Sequence, residues 1–391
     1  MLRNAGFTVE TGLYGMPTSI RASWGKGHPV VGFLGEYDAL PGLSQKVSTE
    51  KEPVCAGAPG QGCGHNLLGA GSAAAGIALA QLVDEGLPAT VVVYGTPAEE
   101  TLAGKTIMIE NGYFRDVDVC LAWHPLDHND PGEVKFKAAE ALTFTFHGRA
   151  AHACNCPENG RSALDAAELT NIGVNYLREH VDKDCYMHYC YTHGGERPNI
   201  VPDYAQLWYM VRAYTFAQMK ELEARVRRVA EGACLMTDTT VEVKILGENH
   251  DSKLNFTLAA LAHDCMEAIG APRFTEEEKA YARQVAQAVG LPGVEGELDE
   301  SILPVDGTIK KDNGSSDVAD VSQIVPVVNI NTACYGRKTP NHSWAVTVQA
   351  DKPAAHRGML FAAKTLALMG TRLATEPTLL AAVRAEFEQA E

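Results

Sequence analysis

The chain has 391 residues, of which 46% are hydrophobic and 21% charged, and its net charge is −16 at pH 7. This length predicts two or three domains with an ample core. The acidic balance argues against nucleic acid or an anionic membrane as a partner, and no apolar run approaches the length of a membrane span. The first residues lack the regions of a signal peptide, and ten cysteines without a disulfide-framework spacing favour a reducing cytoplasm.

Strands and helices alternate over the first 137 residues. Strands are predicted at 18–24, 29–35, 89–94 and 117–123, and helices at 67–82 and 104–111. The strand at 89–94 is an apolar run, which is typical of a parallel sheet buried on both faces. The order predicts a doubly wound α/β domain.

The pattern changes at about residue 138. Alternating strands are predicted at 141–146, 187–192, 205–214 and 239–246, and amphipathic helices at 163–181 and 216–236. This β-α-β-β-α-β order describes a ferredoxin-like α+β module. Segments of α/β type then resume, with helices at 256–269, 276–288 and 352–369 and a strand at 324–330. The module is therefore predicted to be an insertion, residues 138–250, between two parts of the α/β domain, 1–137 and 251–391.

Side chains that suit metal binding follow several of these elements. Cys63 and His65 stand two residues apart in a glycine-rich loop, and thiol and imidazole donors suit Zn²⁺ and similar ions. Glu99 and Glu100 follow one predicted strand, and His124 follows the next. Each signal alone also fits a structural role, since paired glutamates favour the start of a helix and a histidine after a strand can cap it.

His342, in a late Pro-Asn-His-Ser-Trp run, completes a set of five ligand-type side chains. Five ligands and a bridging water suit two close divalent ions better than one tetrahedral structural Zn²⁺. Adjacent carboxylates at a strand end point in different directions, so one can bind metal while the other takes a proton from bound water. A mononuclear or structural zinc protein is the competing interpretation, and it leaves the paired glutamates and His342 unexplained.

An ordered series of motifs spans nearly the whole chain. The series is Gly35-Glu36-Tyr37-Asp38-Ala39-Leu40-Pro41, Gly62-Cys63-Gly64-His65-Asn66, Thr96-Pro97-Ala98-Glu99-Glu100, Trp123-His124-Pro125, Gly148-Arg149-Ala150-Ala151-His152-Ala153, Pro198-Asn199-Ile200-Val201-Pro202-Asp203 and His342. In this order it resembles the amidohydrolase branch of the aminoacylase/carboxypeptidase metallopeptidases. The resemblance is greatest to the p-aminobenzoyl-glutamate hydrolase B-subunit group, with indole-acetyl-amino-acid and N-acyl-amino-acid hydrolases as relatives.

The resemblance implies a catalytic domain with two divalent ions, Zn²⁺ or Mn²⁺, interrupted by a lid domain that dimerises. The implied metal ligands are Cys63, His65, Glu100, His124 and His342. Glu99 is implied as the general base, which activates a metal-bridging water for attack on an amide carbonyl and passes the proton to the leaving amine. Asp38 is implied to orient one of the ligands from behind.

Three further residues are implied on the inserted module. His152 matches a histidine that reaches a neighbouring subunit's active site and helps to polarise the carbonyl. Asn199 and Arg212 match residues that contact the substrate's carboxylate, for which a guanidinium is well built. By sequence alone, the first interpretation of His152 is a surface residue beside a turn, and Arg212 is equally a solvated strand residue.

The chain departs from the family pattern in two places. Cys154 and Cys156 follow His152 closely, and the sequence leaves open whether they are redox-sensitive or incidental. The family usually has a helical segment before its first strands, whereas this chain starts almost at them, and the sequence leaves open whether its start is truncated.

The leading hypothesis is a cytoplasmic dinuclear amidohydrolase that cleaves an N-acyl or N-aroyl amino acid such as p-aminobenzoyl-glutamate. A dipeptidase or N-acyl-amino-acid hydrolase is an alternative, and so is a non-catalytic subunit that kept the fold. We expect a partner that is either a second copy, joined through the lid domain, or a related chain. No nucleic acid or membrane partner is expected, and the acyl group and the choice between Zn²⁺ and Mn²⁺ stay open.

Overall fold

The structure, a computed structural model, describes residues 1–389 apart from the side chain of Tyr14. The chain divides into two compact units. Unit 1 comprises Met1–Lys135, Lys253–Lys311 and the residues from Asp320 onward, and unit 2 comprises Phe136–Ser252 and Asp312–Ala319. The short segment 312–319 clusters with unit 2, where the backbone N–H of Lys137 donates to the carbonyl of Gly314 at 2.9 Å.

Strands and helices alternate along the chain. In chain order the strands are β1 (Thr8–Thr11), β2 (Ile20–Gly25), β3 (Val30–Glu36), β4 (Thr90–Thr96), β5 (Val119–Leu126), β6 (Val134–Lys135), β7 (Ala138–His147), β8 (Tyr186–His193), β9 (Tyr204–Ala213), β10 (Thr240–Asn249), β11 (Lys310–Lys311) and β12 (Val327–Ala333). The helices are α1 (His65–Asp84), α2 (Gly104–Glu110), α3 (Ala163–Leu177), α4 (Phe216–Thr237), α5 (Phe256–Ile269), α6 (Glu276–Val289), α7 (Val318–Ile324), α8 (Trp344–Gln349), α9 (Pro353–Thr375) and α10 (Pro377–Gln389).

Unit 1 is a mixed α/β fold built on a six-stranded sheet in the order β1-β2-β4-β3-β5-β12. The strands β4, β3, β5 and β12 are parallel to their neighbours in the series, and β2 and β1 are antiparallel. The strand β3 is buried along its whole length, as its continuous apolar sequence predicts. Because the parallel strands end at the same edge of the sheet, the polar loops after β3, β4 and β5 meet there.

Helix α1 is the main helical element against this sheet. It packs on β3 and on α9, and its buried face includes Leu68, Ala75 and Leu79. By length and composition alone it is apolar enough to cross a membrane, contrary to the expectation that no run approaches a span. Its leucines and alanines cause this, and its alanines and glycines let the helix lie close to the sheet. Its place in the core of unit 1 accounts for its composition.

Unit 2 is an antiparallel sheet in the order β10-β7-β9-β8 with α3 and α4 packed on it. Its element order is β-α-β-β-α-β. Buried and less buried residues alternate along β7 and β9, as period-two patterning predicts for a sheet covered on one face. The core includes Phe144, Leu207 and Val226.

The carboxyl-terminal part differs from the sequence prediction. The strand predicted at 324–330 is wrong at its start, because α7 runs to Ile324 and β12 begins at Val327. Pro326 separates the two, since proline has no N–H and disfavours a helical conformation in the residue before it. The helices α7, α8 and α10 were not predicted, and α9 continues to Thr375, beyond the predicted end at 369.

Helix α10 carries a carboxylate to the start of α5. The two oxygens of Glu386 accept the backbone N–H groups of Phe256 at 2.6 Å and Thr257 at 2.9 Å. The first N–H groups of a helix have no partner inside the helix and carry a partial positive charge. Glu386→Ala is expected to lower the free energy of unfolding by about 1–2 kcal/mol, measured by urea denaturation. Glu388→Ala, exposed on the same helix, should change it by less than about 0.5 kcal/mol, and equal losses would contradict the prediction.

Candidate active site and metal centre

The turn before α1 places two candidate ligands. Gly64 has φ of +74°, and a Cβ at this position would lie 1.8 Å from the hydroxyl of Tyr335. Only glycine fits both the left-handed conformation and this close approach. Gly64 thus allows the chain to present Cys63 and then to start α1 at His65.

His65 is fully buried between two carboxylates. Its Nδ1 lies 3.0 Å from Oδ1 of Asp38, and its Nε2 lies 3.3 Å from Oε2 of Glu36 without a hydrogen bond. Burial acts against the charged ring, but the hydrogen bond with Asp38 and the charges of Glu36 and Glu99 raise the pKa of His65 to about 9. Because Nδ1 donates to Asp38, Nε2 is the atom that a metal ion would take.

His124 faces the thiol of Cys63. Its Nδ1 donates to the carbonyl of Pro125 at 3.0 Å, and its Nε2 lies 3.4 Å from Sγ of Cys63. Burial, with the positive charge of His65, lowers the pKa of His124 to about 4, so the neutral ring presents an Nε2 lone pair. Burial and the surrounding carboxylates raise the pKa of Cys63 well above its usual value, so a thiolate here needs a cation beside it.

His342 and Glu100 form the opposite side of the centre. Nε2 of His342 lies 3.4 Å from Oε2 of Glu100, and the backbone N–H of His342 donates to the carbonyl of Gly62 at 3.0 Å. His342 has φ of +53°, and Ala98, just before Glu99, has φ of +62°. Left-handed conformations are unfavourable for residues other than glycine, and they concentrate at functional loops.

The ligand atoms of these residues form three groups, in each of which all atoms lie within 4.8 Å of one another. The groups are Cys63, His65 and His124, then Cys63, Glu100 and His342, and then Glu36, His65 and Glu99. Two nitrogen or oxygen ligands of a tetrahedral Zn²⁺ lie roughly 3.3 Å apart, and a sulfur ligand slightly farther. The separations of 3.3 Å from His65 to Glu36 and of 3.4 Å from Cys63 to His124 and from His342 to Glu100 match these values. Cys63 and His65 each belong to two groups.

Several buried polar atoms at this edge of the sheet have no hydrogen-bond partner. They are Nε2 of His65, Oγ1 of Thr96, Oε1 of Glu100 and the hydroxyl of Tyr335. Buried polar groups are almost always satisfied, so each such atom needs an explanation. These atoms lie near several carboxylates and a thiol. Such a set is suited to bind one or more divalent cations and the water molecules on them.

Two residues of this centre were not predicted from the sequence. Glu36 belongs to the first motif of the series, but no metal-binding or catalytic role was predicted for it. Its position at the end of a buried strand was the signal that could have indicated one. Lys105, on α2, is fully buried with its Nζ 2.6 Å from Oε1 of Glu36. A lysine in a short predicted helix is usually exposed to solvent, so nothing in the sequence indicated that Lys105 is buried beside Glu36.

The three candidate substrate residues lie in unit 2. Exposed His152 accepts two backbone N–H groups at Nδ1, from Cys154 at 3.2 Å and Asn155 at 3.1 Å. The neutral ring therefore carries its proton on Nε2 and presents a donor. Asn199 lies next to this turn, where its carbonyl accepts the N–H of Ala153 at 3.0 Å.

Arg212 lies elsewhere in unit 2, on β9. Its Nη1 donates to the carbonyl of Asn313 at 3.4 Å, and its buried Nε has no hydrogen-bond partner. Burial lowers the pKa of Arg212 while Asp312 opposes that change, and the group stays charged. A buried guanidinium N–H without a partner is suited to an anionic group.

The sequence has relatives along its full length. The profile of Peptidase family M20/M25/M40 matches residues 32–330. The B chain of the p-aminobenzoyl-glutamate hydrolase of Escherichia coli (strain K12) is 36% identical over 414 aligned positions, which cover 99% of this chain and 86% of that protein. The Xaa-Arg dipeptidase of Mus musculus is 30% identical over 387 positions, covering 96% and 79% of the two chains.

Solved structures share the fold. A dinuclear metal-binding peptidase of the M20 family from Bacillus subtilis aligns with a TM-score of 0.58 at 17% identity, covering 95% of this chain and 90% of that one. The family profile covers most of the chain, and the relatives that align along nearly all of it are hydrolases of amide bonds. The chain therefore belongs to Peptidase family M20/M25/M40 and is a metal-dependent hydrolase of amide bonds.

Proposed function

We propose that this protein is a dinuclear amidohydrolase, dependent on Zn²⁺ or Mn²⁺, that cleaves the amide bond of an N-acyl or N-aroyl amino acid. The substrate we propose is p-aminobenzoyl-glutamate, which the name of the Escherichia coli relative includes. The observation that carries the proposal is that two of the three groups of candidate ligands contain Cys63. A ligand atom that belongs to both groups suits two adjacent ions. The thiol favours Zn²⁺, whereas imidazole and carboxylate also accept Mn²⁺.

The ligands divide between two positions in this proposal. Cys63, His65 and His124 would hold one divalent ion, and Cys63, Glu100 and His342 would hold the other. Divalent ions bound there would polarise a water molecule and the amide carbonyl. Glu99 is 8% exposed and lies at the same centre, and it takes a proton from the water and delivers it to the leaving nitrogen.

The residues of unit 2 supply recognition. The Nε2 donor of His152 stabilises the charge that develops on the carbonyl oxygen, and it acts in the site of a neighbouring subunit. Arg212 and Asn199 bind the carboxylate of the substrate. The exposed position of His152 supports a role outside its own unit, and the unpartnered Nε of Arg212 supports an anionic ligand.

Unit 2 is proposed to act as an inserted lid and dimerisation domain, with unit 1 doubly wound around its sheet. Exposed apolar side chains on unit 2 support an interface, and they include Trp208, Ile245 and Leu246. The partner is a second copy or a related chain, and the name of the Escherichia coli relative, which is one subunit of a hydrolase, favours the latter. We place the protein in the cytoplasm, where the ten cysteines, free in the structure, would stay reduced.

A dipeptidase is the second candidate. The murine relative is named for dipeptides that end in arginine, and the net charge of −16 would favour a cationic substrate. A non-catalytic subunit is disfavoured, because a chain without activity has no need to keep the buried carboxylate of Glu99 beside five ligand side chains.

The proposed activity is tested with p-aminobenzoyl-glutamate. Hydrolysis is followed by absorbance with added Zn²⁺ or Mn²⁺, and again after chelation. We expect activity that disappears with the chelator and returns with metal, because Glu99 can deprotonate the water near neutral pH only when a divalent ion lowers the pKa of that water. Activity only on Xaa-Arg dipeptides would select the second candidate, and a metal-loaded protein inactive on both classes would contradict the proposal.

Glu99→Gln should abolish turnover while metal content stays near that of the wild type. The amide keeps the shape of the carboxylate but takes no proton, and loss of a general base costs about 10²–10⁴-fold in rate. Turnover and metal content by mass spectrometry are measured together. Glu110→Gln, exposed at the end of α2, serves as the control and should match the wild type in both. Retained activity in Glu99→Gln would remove Glu99 from the role of base.

His152→Ala should lower kcat by about 10²–10³-fold, as for the loss of one donor to a developing charge, with metal content unchanged. His188→Ala, an exposed histidine of the same unit, is the control. Mixing the inactive His152→Ala and Glu99→Gln chains under exchange conditions should restore activity, because one site of the mixed dimer then has both groups intact. Unchanged kinetics in His152→Ala would remove the catalytic role, and mixed chains that stay inactive would exclude a role across two copies of this chain.

A further inference from the structure

A carboxylate outside the set of five ligands faces the same centre. Glu36, the last residue of β3, is 3% exposed, and its Oε2 lies 3.3 Å from Nε2 of His65. The ligand atoms of Glu36, His65 and Glu99 all lie within 4.8 Å of one another. Nε2 of His65 is buried and makes no hydrogen bond, to Glu36 or to any other described residue.

Lys105 fixes the orientation of this carboxylate. Its ammonium lies 2.6 Å from Oε1 of Glu36, and its side chain is fully buried. Burial acts to raise the pKa of Glu36, but the charge of Lys105 holds it below its usual value. With Oε1 bound to Lys105, Oε2 is left to face His65.

The backbone around Lys105 is itself tied to the loop that carries the paired glutamates. A Cβ at Gly104 would lie 1.7 Å from the carbonyl of Pro97, and the N–H of Gly104 donates to the carbonyl of Ala98 at 3.3 Å. Gly104 thus brings the start of α2 against the turn before Glu99. Lys105 follows directly, so its position is set by the same turn that sets Glu99.

We propose that Glu36 is a further protein ligand of the metal centre, on the ion held by His65, and that Lys105 is the residue that positions it. The inference rests on the proposed binding of divalent ions. The separation of 3.3 Å between Oε2 of Glu36 and Nε2 of His65 is that of two neighbouring ligands on one ion. A buried ion pair that served stability alone is often replaced by apolar residues without loss, so its place beside an imidazole Nε2 that makes no hydrogen bond points to a ligand role.

The first test replaces both members of the ion pair. Glu36→Leu combined with Lys105→Met removes the proposed ligand together with the ammonium that pairs with it, and the thermal midpoint shows whether the double variant folds. The affinity for Zn²⁺ and Mn²⁺ is measured by competition with a chromogenic chelator, and bound metal per chain by mass spectrometry. We expect the affinity to fall about tenfold or more.

The second test asks whether metal affinity falls or rises when Lys105 alone is replaced. Lys105→Met leaves Glu36 in place but free to turn away, so the proposal expects weaker metal binding. A lysine that contributed only its positive charge would repel the cations, and its removal would then strengthen binding. Lower affinity in this variant supports the positioning role even if the double variant does not fold, and higher affinity overturns it.

The control removes a comparable charge outside the centre. Lys310 lies 2.8 Å from Asp130, which is 1% exposed in unit 1, and Lys310→Met should leave metal affinity unchanged. Wild-type affinity in the folded double variant would overturn the role of Glu36 and leave the proposed function standing. A wild-type protein that binds neither ion would instead contradict the proposed function itself.

Discussion

The carboxylate of Asp38 connects two of the loops that form the centre. One oxygen lies 3.0 Å from Nδ1 of His65, and the other accepts the backbone N–H of Glu100 at 3.0 Å. Burial acts to raise the pKa of Asp38, but these two bonds hold it below its usual value, so the group stays ionised. The end of β3, the start of α1 and the loop after β4 are therefore fixed relative to one another. A ligand set on separate loops keeps its geometry only when such a contact holds them.

The charge of this region explains why a cation belongs there. The carboxylates of Glu36, Glu99 and Glu100 and the thiol of Cys63 lie close together, and all are at least partly buried. Without a cation, burial and like charges keep the thiol protonated and leave Oε1 of Glu100 without a partner. Bound divalent ions would replace this repulsion by attraction, so part of the binding energy becomes stability of the folded state.

The sequence was most informative where a strand or helix has a strong pattern. The helix predicted at 256–269 matches α5, and the apolar runs at 29–35 and 89–94 lie within one or two residues of β3 and β4. The five expected ligands come together because the turn before α1, the loop after β4, the end of β5 and the loop before α8 meet. The burial of Lys105 could not be predicted, because burial depends on tertiary packing and the sequence of a short helix does not show it. The helix α7 was missed for a related reason. Val318–Ile324 contains the branched apolar residues that are common in strands, and its tertiary contacts determine that it forms a helix.

The tautomers of three histidines show how one residue type takes opposite roles. In His65 and His124, Nδ1 donates, to a carboxylate and to a backbone carbonyl, so Nε2 is the nitrogen left for a metal ion, which in His65 would replace a proton. In His152, Nδ1 accepts two backbone N–H groups, so the neutral ring must donate from Nε2. The first arrangement suits a ligand and the second suits stabilisation of an oxyanion. Nothing in the sequence of a single histidine carries this distinction, because the partner of Nδ1 is set by the surrounding backbone fold.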